Sequence, residues 1–150
     1  MTHFRIKTIE DPSQTQIDLI RRPLKQYNES QIGAYHRKHF ATFAYDQNGQ
    51  VIGGMSGWLH FGWLFIDDAW VSVSYRRQGV GSRILSTSEQ WALKHGIFHA
   101  RLNTGSFQAP NFYLKNGYEI FAQLDILAPD GSPQIEYFMK RNIQLPNLNG

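Results

Sequence analysis

An α/β fold is predicted, with much of its sheet made of hairpins, and three observations predict it. Two apolar runs, Phe40 to Tyr45 and Gln50 to Leu59, flank Asp46-Gln47-Asn48-Gly49. An Asn-Gly pair between such runs signals a hairpin, because both residues tolerate positive φ. A third apolar run, Leu64 to Val73, leads through a glycine turn into a helical run, Val80 to His95. Finally, Tyr118 to Leu127 and Ile135 to Arg141 read as a closing hairpin around Pro129-Asp130-Gly131-Ser132.

The elements follow in order. Phe4 to Ile9 alternates weakly and is expected as a first strand. Ser13 and Gln16 fit a capping box, after which Ile17, Ile20 and Leu24 recur at helical spacing. Pro23 is expected to kink or end that helix near Arg22. Gln26 to His39 holds no clear period and is expected as a short helix or loop. A second reversal is expected at Phe61-Gly62, before a strand from Trp63 to about Val73. The next helix places Val80, Ile84, Leu85, Trp91 and Ala92 on one face, and Gly96 ends it. Ile97 to Thr104 is a strand. A short helix over about Phe107 to Asn116 begins near Pro110 and stops at Gly117. Leu145 to Gly150 is expected to fray. The order is βα(α)βββαβαββ, and residues 1–150 are expected as one domain.

Bulk composition narrows the function. Apolar residues make up 41% and charged residues 18% of the chain, an ordinary globular balance. Fifteen Lys and Arg against twelve Asp and Glu leave a net charge of +3. The charge suits an anionic ligand, but the longest cationic clusters are Arg21-Arg22 and Arg76-Arg77, short of a nucleic-acid-binding stripe. With no cysteine, disulfides, thiolate metal sites and a cysteine-linked acyl-enzyme are excluded. The six histidines make no metal-ligand spacing with Asp or Glu, so no metal is expected. Ile52 to Val73 is broken by glycines, His60, Asp67 and Asp68, and no membrane span is expected. Met1 to Arg5 lacks an apolar signal core, so the expected location is cytoplasmic.

Chemistry concentrates at Arg76-Arg77-Gln78-Gly79-Val80-Gly81-Ser82. At the first turn of a helix the N–H groups have no intrahelical partner, and the helix dipole adds about half a positive charge. Gly79 and Gly81 let the main chain approach a ligand, and the two arginines add cations suited to phosphate. A P-loop is absent. The dinucleotide pattern fails because position 84 is Ile rather than a third glycine.

What remains, Arg-x-x-Gly-x-Gly after a strand, resembles the acetyl-CoA-binding motif of the GNAT N-acetyltransferase superfamily. Ala109-Pro110-Asn111-Phe112-Tyr113-Leu114-Lys115-Asn116-Gly117-Tyr118 resembles the family's later segment, and Trp70 to Tyr75 the strand end before its glycine loop. The resemblance runs from about Gly49 to Lys140. It implies a mixed, mostly antiparallel sheet of six to seven strands with a splayed central pair, flanked by helices. It implies acetyl-CoA as cosubstrate, its pyrophosphate on the N–H groups of Gln78, Gly79, Val80, Gly81 and Ser82, with charge from Arg76 and Arg77. The strand end Val71, Ser72 and Val73 would line the thioester, whose carbonyl meets main-chain N–H near Val71. Tyr113 matches the family tyrosine that serves as general acid to the leaving sulfur. Phe112 stands beside it, and Asn103 and Asn111 are candidate partners for pantetheine amides. The family's usual asparagine seven residues before the tyrosine is Ser106 here, a departure that leaves one hydroxyl for that contact.

Acetyl transfer needs a neutral amine. An alkyl ammonium with pKa near 10.4 leaves about 4 kcal/mol opposing the reactive form at pH 7, which calls for a base. Asp67 and Asp68 are the candidates. Adjacent strand residues point to opposite faces, which puts Asp67 with Ala69 and Val71, and a bulge would swap the two. Trp58, Phe61, Trp63, Tyr27, Tyr35 and Phe40 could wall an acceptor site, though most fit hairpin or core packing. The expected acceptor is a small-molecule amine, and the lack of cysteine favours its direct attack in a ternary complex. A protein lysine or N-terminal acceptor is the second reading, and a noncatalytic CoA-binding module is the rival class. Exposed aromatics and the terminal hairpin are compatible with a homodimer.

Overall fold

The computed structural model describes residues 3–144. The expected frayed tail, Leu145 to Gly150, lies outside them. The chain divides into two compact units, one up to His36 and one from Arg37.

In the first unit the expected strand over residues 4–9 does not form. Phe4 and Ile6 are 77% and 87% exposed, so the alternation has no core to serve. Helix α1 (Gln14–Ile32) opens on the expected capping box: Ser13 Oγ accepts from the Gln16 N–H, and Gln16 Oε1 accepts from the Ser13 N–H at 2.9 Å. α1 does not end near Arg22 but continues past Pro23 and takes in much of the stretch that showed no clear period. A proline inside a helix costs about 3 kcal/mol. No residue of α1 is buried, so the carbonyl that the ring leaves bare can be met by water, while Gln14–Asp18 and Lys25–Glu29 contacts support either side.

The second unit is one six-stranded sheet, in the order β1 (Lys38–Tyr45), β2 (Val51–His60), β3 (Trp63–Val71), β4 (His99–Gly105), β6 (Pro133–Asn142) and β5 (Glu119–Leu127). Every pairing is antiparallel except β3 with β4. Both short reversals fall where expected. Gly49 takes φ 77° in the first, and Phe61 and Gly62 take φ 48° and 79° in the second, the two positive angles a tight hairpin turn requires. Helix α2 (Val80–Lys94) crosses between β3 and β4, as a parallel pair demands. It buries Ile84, Leu85 and Ala92 against Leu64, Ile66, Leu102 and Met139, the last four at most 2% exposed. Helix α3 (Pro110–Lys115) is shorter than expected and starts on its proline. No described helix is long and apolar enough to cross a membrane.

The parallel pairing of β3 and β4 covers only Leu64 to Ile66 against Ala100 to Leu102. Beyond it the two strands part, β3 continuing to Val71 and β4 to Gly105. This is the expected central splay, and the functional residues gather around it.

Candidate active site

The ladder between β2 and β3 decides what faces the gap. The Ser72 N–H donates to the Ile52 carbonyl at 2.8 Å. Antiparallel pairs alternate between bonded and unbonded, so Trp70 also exchanges bonds with β2, while Val71 turns its N–H and carbonyl the other way. There the partner strand has already diverged. The Val71 carbonyl is taken by Arg76 Nε at 2.9 Å, which leaves the Val71 N–H aimed into the gap.

After β3 the chain makes one 3₁₀ turn (Val73–Tyr75) and enters the glycine loop. Arg77 and Gly79 take positive φ, 61° and 79°. Alternating backbone handedness of this kind turns successive N–H groups to one side as an anion nest. Among the described residues, no N–H from Arg77 to Ser82 donates to a carbonyl. Gln78 Nε2 braces the loop on the Ser74 carbonyl at 2.9 Å, and Arg76 to Gly79 are exposed. Gly81 is needed for packing: a Cβ there would lie 3.1 Å from the Phe112 ring. Phe112 therefore packs α3 onto the first turn of α2.

Tyr113 is 7% exposed, edge-on to Phe112 and Tyr118 at 5.0 and 5.8 Å. Burial pushes its pKa up to about 12. Ser106 is fully engaged. Its N–H donates to the Ile135 carbonyl, its hydroxyl donates to Gln134 Oε1 at 2.7 Å, and it accepts from the Ile135 N–H. It pins the end of β4 to β6 and keeps no spare donor. Asn103 and Asn111 are exposed, on β4 and on the first turn of α3.

A cavity of about 480 Å³ opens beside β3, lined by Phe43, Met55, Ser56, Asp67, Asp68, Trp70 and Gln108 among others. A bulge makes it. Ser56 pairs with Asp68 but Gly57 with Ile66, so Asp67 is the extra residue. The expectation of one carboxylate per face is corrected: the bulge breaks the alternation, and both line the same cavity. Asp68 Oδ2 accepts from Ser56 Oγ at 3.3 Å. Among the described residues neither carboxylate forms a salt bridge. Opposite the bulge only glycine fits, because a Cβ on Gly57 would lie 1.9 Å from the Phe65 carbonyl oxygen. A glycine in mid-strand was the signal for this bulge.

Most of the aromatic set that falls in the second unit packs, as expected: Phe40 on Trp91, Trp58 on Phe65, and Trp63 on His99. Strand parity sends Phe43 and Trp70 to the cavity instead, both more than half exposed. Gln108 is a lining residue that sequence reasoning missed.

A family model described as "Acetyltransferase (GNAT) family" matches residues 5–118. The chain belongs to that family. The blasticidin-S acetyltransferase of Streptomyces morookaense is 30% identical over 133 residues, covering 87% of this chain and 90% of the relative. A crystal structure of an acetyltransferase from Bacillus cereus ATCC 14579 is 29% identical, with TM-score 0.77, over 91% of this chain and 98% of that one. A Bacillus anthracis str. Ames protein solved with acetyl coenzyme A shares the fold at 24% identity and TM-score 0.62, over 71% and 64% of the two chains. As a GNAT member the chain is an acyltransferase.

This GNAT chain also holds a buried polar cluster that the sequence did not announce. Glu89, on α2, accepts from the Tyr118 hydroxyl at 2.9 Å and pairs with Arg141 at 3.4 Å. Arg141 also donates to the Asn116 carbonyl. Burial raises the Glu89 pKa and outweighs the lowering by the Tyr118 bond and by Arg141. Burial and Glu89 together raise that of Tyr118. The cluster ties α2, the end of α3 and β6 together behind Tyr113.

Proposed function

We propose that this GNAT chain is an acetyl-CoA-dependent N-acetyltransferase whose acceptor is a primary amine of a small molecule. The carrying observation is β3 itself. Within five residues it presents two carboxylates to one cavity and an uncommitted main-chain N–H to the gap beside β4. The cavity falls within the size range of small-molecule sites. Two relatives support the reading: one is named for blasticidin-S, and one was solved with acetyl coenzyme A.

In this reading the pyrophosphate sits on the N–H groups of Gln78 to Ser82, with Arg77 and the free end of Arg76 supplying charge. Val71 to Val73 flank the thioester, Asn103 and Asn111 meet the pantetheine arm, and the Val71 N–H polarises the carbonyl. Asp67 or Asp68 takes the proton from the incoming ammonium. The neutral amine then attacks the carbonyl carbon, and the tetrahedral species expels the sulfur, which takes up the nitrogen's second proton through solvent and leaves as the CoA thiol. Tyr113, its pKa up at about 12, stays protonated and faces a thiol whose own pKa lies near 8.5. Full transfer from so weak an acid runs uphill. The environment therefore favours a hydrogen bond that steadies the leaving sulfur over complete donation.

The test is thiol release from acetyl-CoA across a panel of small amines and one of lysine-bearing peptides. Release dependent on a small amine is the expected result. Release with peptides alone would move the acceptor to protein.

A further inference from the structure

The two carboxylates explain why the cavity would take a cation. They do not explain Gln108. The residue sits in the turn between β4 and α3, held by a bond from its own N–H to the Gly105 carbonyl at 2.9 Å. Its side-chain Oε1 accepts from the Gly105 N–H at 2.7 Å and from Thr104 Oγ1 at 3.3 Å. A backbone N–H can only donate, so the amide cannot be flipped: the oxygen must face Gly105 and the NH₂ must face away. Nε2 makes no hydrogen bond among the described residues, and Gln108 lines the cavity. Around it the carboxylates and the serine are of the opposite kind. Asp67 and Asp68 only accept when ionised, and the Ser56 hydroxyl proton is already given to Asp68. Among the described lining side chains the uncommitted donors are thus Gln108 Nε2 and the Trp70 indole N–H, and of the two Gln108 is the one fixed by hydrogen bonds of its own side chain.

We infer that Gln108 selects acceptor molecules that carry a carbonyl oxygen in addition to the reactive amine, with Nε2 donating to that oxygen. The inference rests on the acceptor reading of the cavity given above. An alkylamine satisfies the carboxylates but offers nothing to two amide N–H groups that binding would strip of water. A buried donor left bare costs more than an average hydrogen bond gains, so the penalty falls on substrates lacking the oxygen. Phe43 and Trp70, exposed on the same cavity, offer ring faces to a planar conjugated group such as an amide or a heterocyclic carbonyl. The two bonds to Oε1 fix the donor before substrate arrives, so little ordering entropy is lost on binding.

The test compares β-alanine anilide with phenylbutylamine, which replaces the amide by two methylenes at equal length. Each is assayed by acetyl-CoA-dependent thiol release with the wild type, Gln108→Glu and Gln108→Leu. Gln108→Glu keeps an oxygen for the Gly105 N–H but loses the donor; Gln108→Leu loses both. The wild type is expected to prefer the anilide at least about tenfold in kcat/KM, the worth of one hydrogen bond. Both variants should bring the ratio near one. Because the ratio is taken on one preparation, partial misfolding cancels from it. A wild-type ratio near one, or a preference unchanged in both variants, overturns the inference and leaves the acceptor reading standing. No thiol release with any small amine sinks both together.

Discussion

The two halves of β3 differ in almost every respect. From Leu64 to Ile66 the strand is paired on both edges, and Leu64 and Ile66 are 0% and 2% exposed. From Asp67 to Val71 it is paired on one edge only, and four of its five residues are exposed. The first half is held by apolar burial and a complete ladder. The second gives up one ladder and its alternation, and what it gives up becomes chemistry: a bare N–H, two carboxylates and a cavity. One strand thus anchors the sheet at one end and holds the reacting groups at the other.

The sharpest way to break this comparison is at the joint. Gly57→Ala would drive a methyl into the Phe65 carbonyl, and because this clash is with backbone it should cost about 3 kcal/mol or more, at the top of the overpacking range. Denaturant unfolding checks it, and a stable Gly57→Ala protein would deny the bulge. In the first half, Leu64→Ala should cost about 2–5 kcal/mol as a buried truncation. In the second half the effects should reverse in kind. Asp67→Asn and Asp68→Asn should each change stability by less than about 0.5 kcal/mol, as exposed substitutions do. One of them should lower kcat at least about hundredfold, as expected for loss of a general base. A pH–rate profile unmoved by both would remove carboxylate base catalysis.

Tyr113→Phe should lower kcat about tenfold, the worth of one hydrogen bond to the sulfur, with CoA affinity nearly intact. It should also change the alkaline limb of stability. The phenol's folded pKa lies above its ordinary value of 10.0, so its contribution is whole below pH 10 and is lost as pH rises toward 12. Two units correspond to about 3 kcal/mol, and that part of the alkaline loss should be missing from the variant. The smallest effect belongs to Glu89. Its folded pKa is raised above 4.5, so folding binds a proton and stability falls as pH rises past 4.5. The stability difference between wild type and Glu89→Gln should therefore decline over that range; a flat difference would show that the carboxyl is not raised.

Legibility in the sequence followed range. The glycine loop, the capping box, both tight turns and α2 are local patterns, decided by residues within a turn or two of each other, and they stand where expected. The strand over residues 4–9 failed because alternation is only an offer of a face, and Phe4 and Ile6 found no core. Pro23 did not end α1, because an exposed helix can leave one carbonyl to water. The cavity was hardest to read. Its carboxylates were named, but their common side depends on a bulge set by Gly57 on another strand, and Gln108 is aimed by a backbone N–H that no motif encodes. The Glu89–Tyr118–Arg141 cluster joins residues far apart in sequence, and only the packed fold brings them together.

The central claim is that the parted half of β3 and the loop after it hold a thioester carrier through main-chain amides. An amide NMR titration with CoA tests it most directly. Saturable shifts largest at Val71 and at Gln78 to Ser82 are the predicted result. Amides at those positions that stay still while CoA reaches millimolar concentration would contradict it.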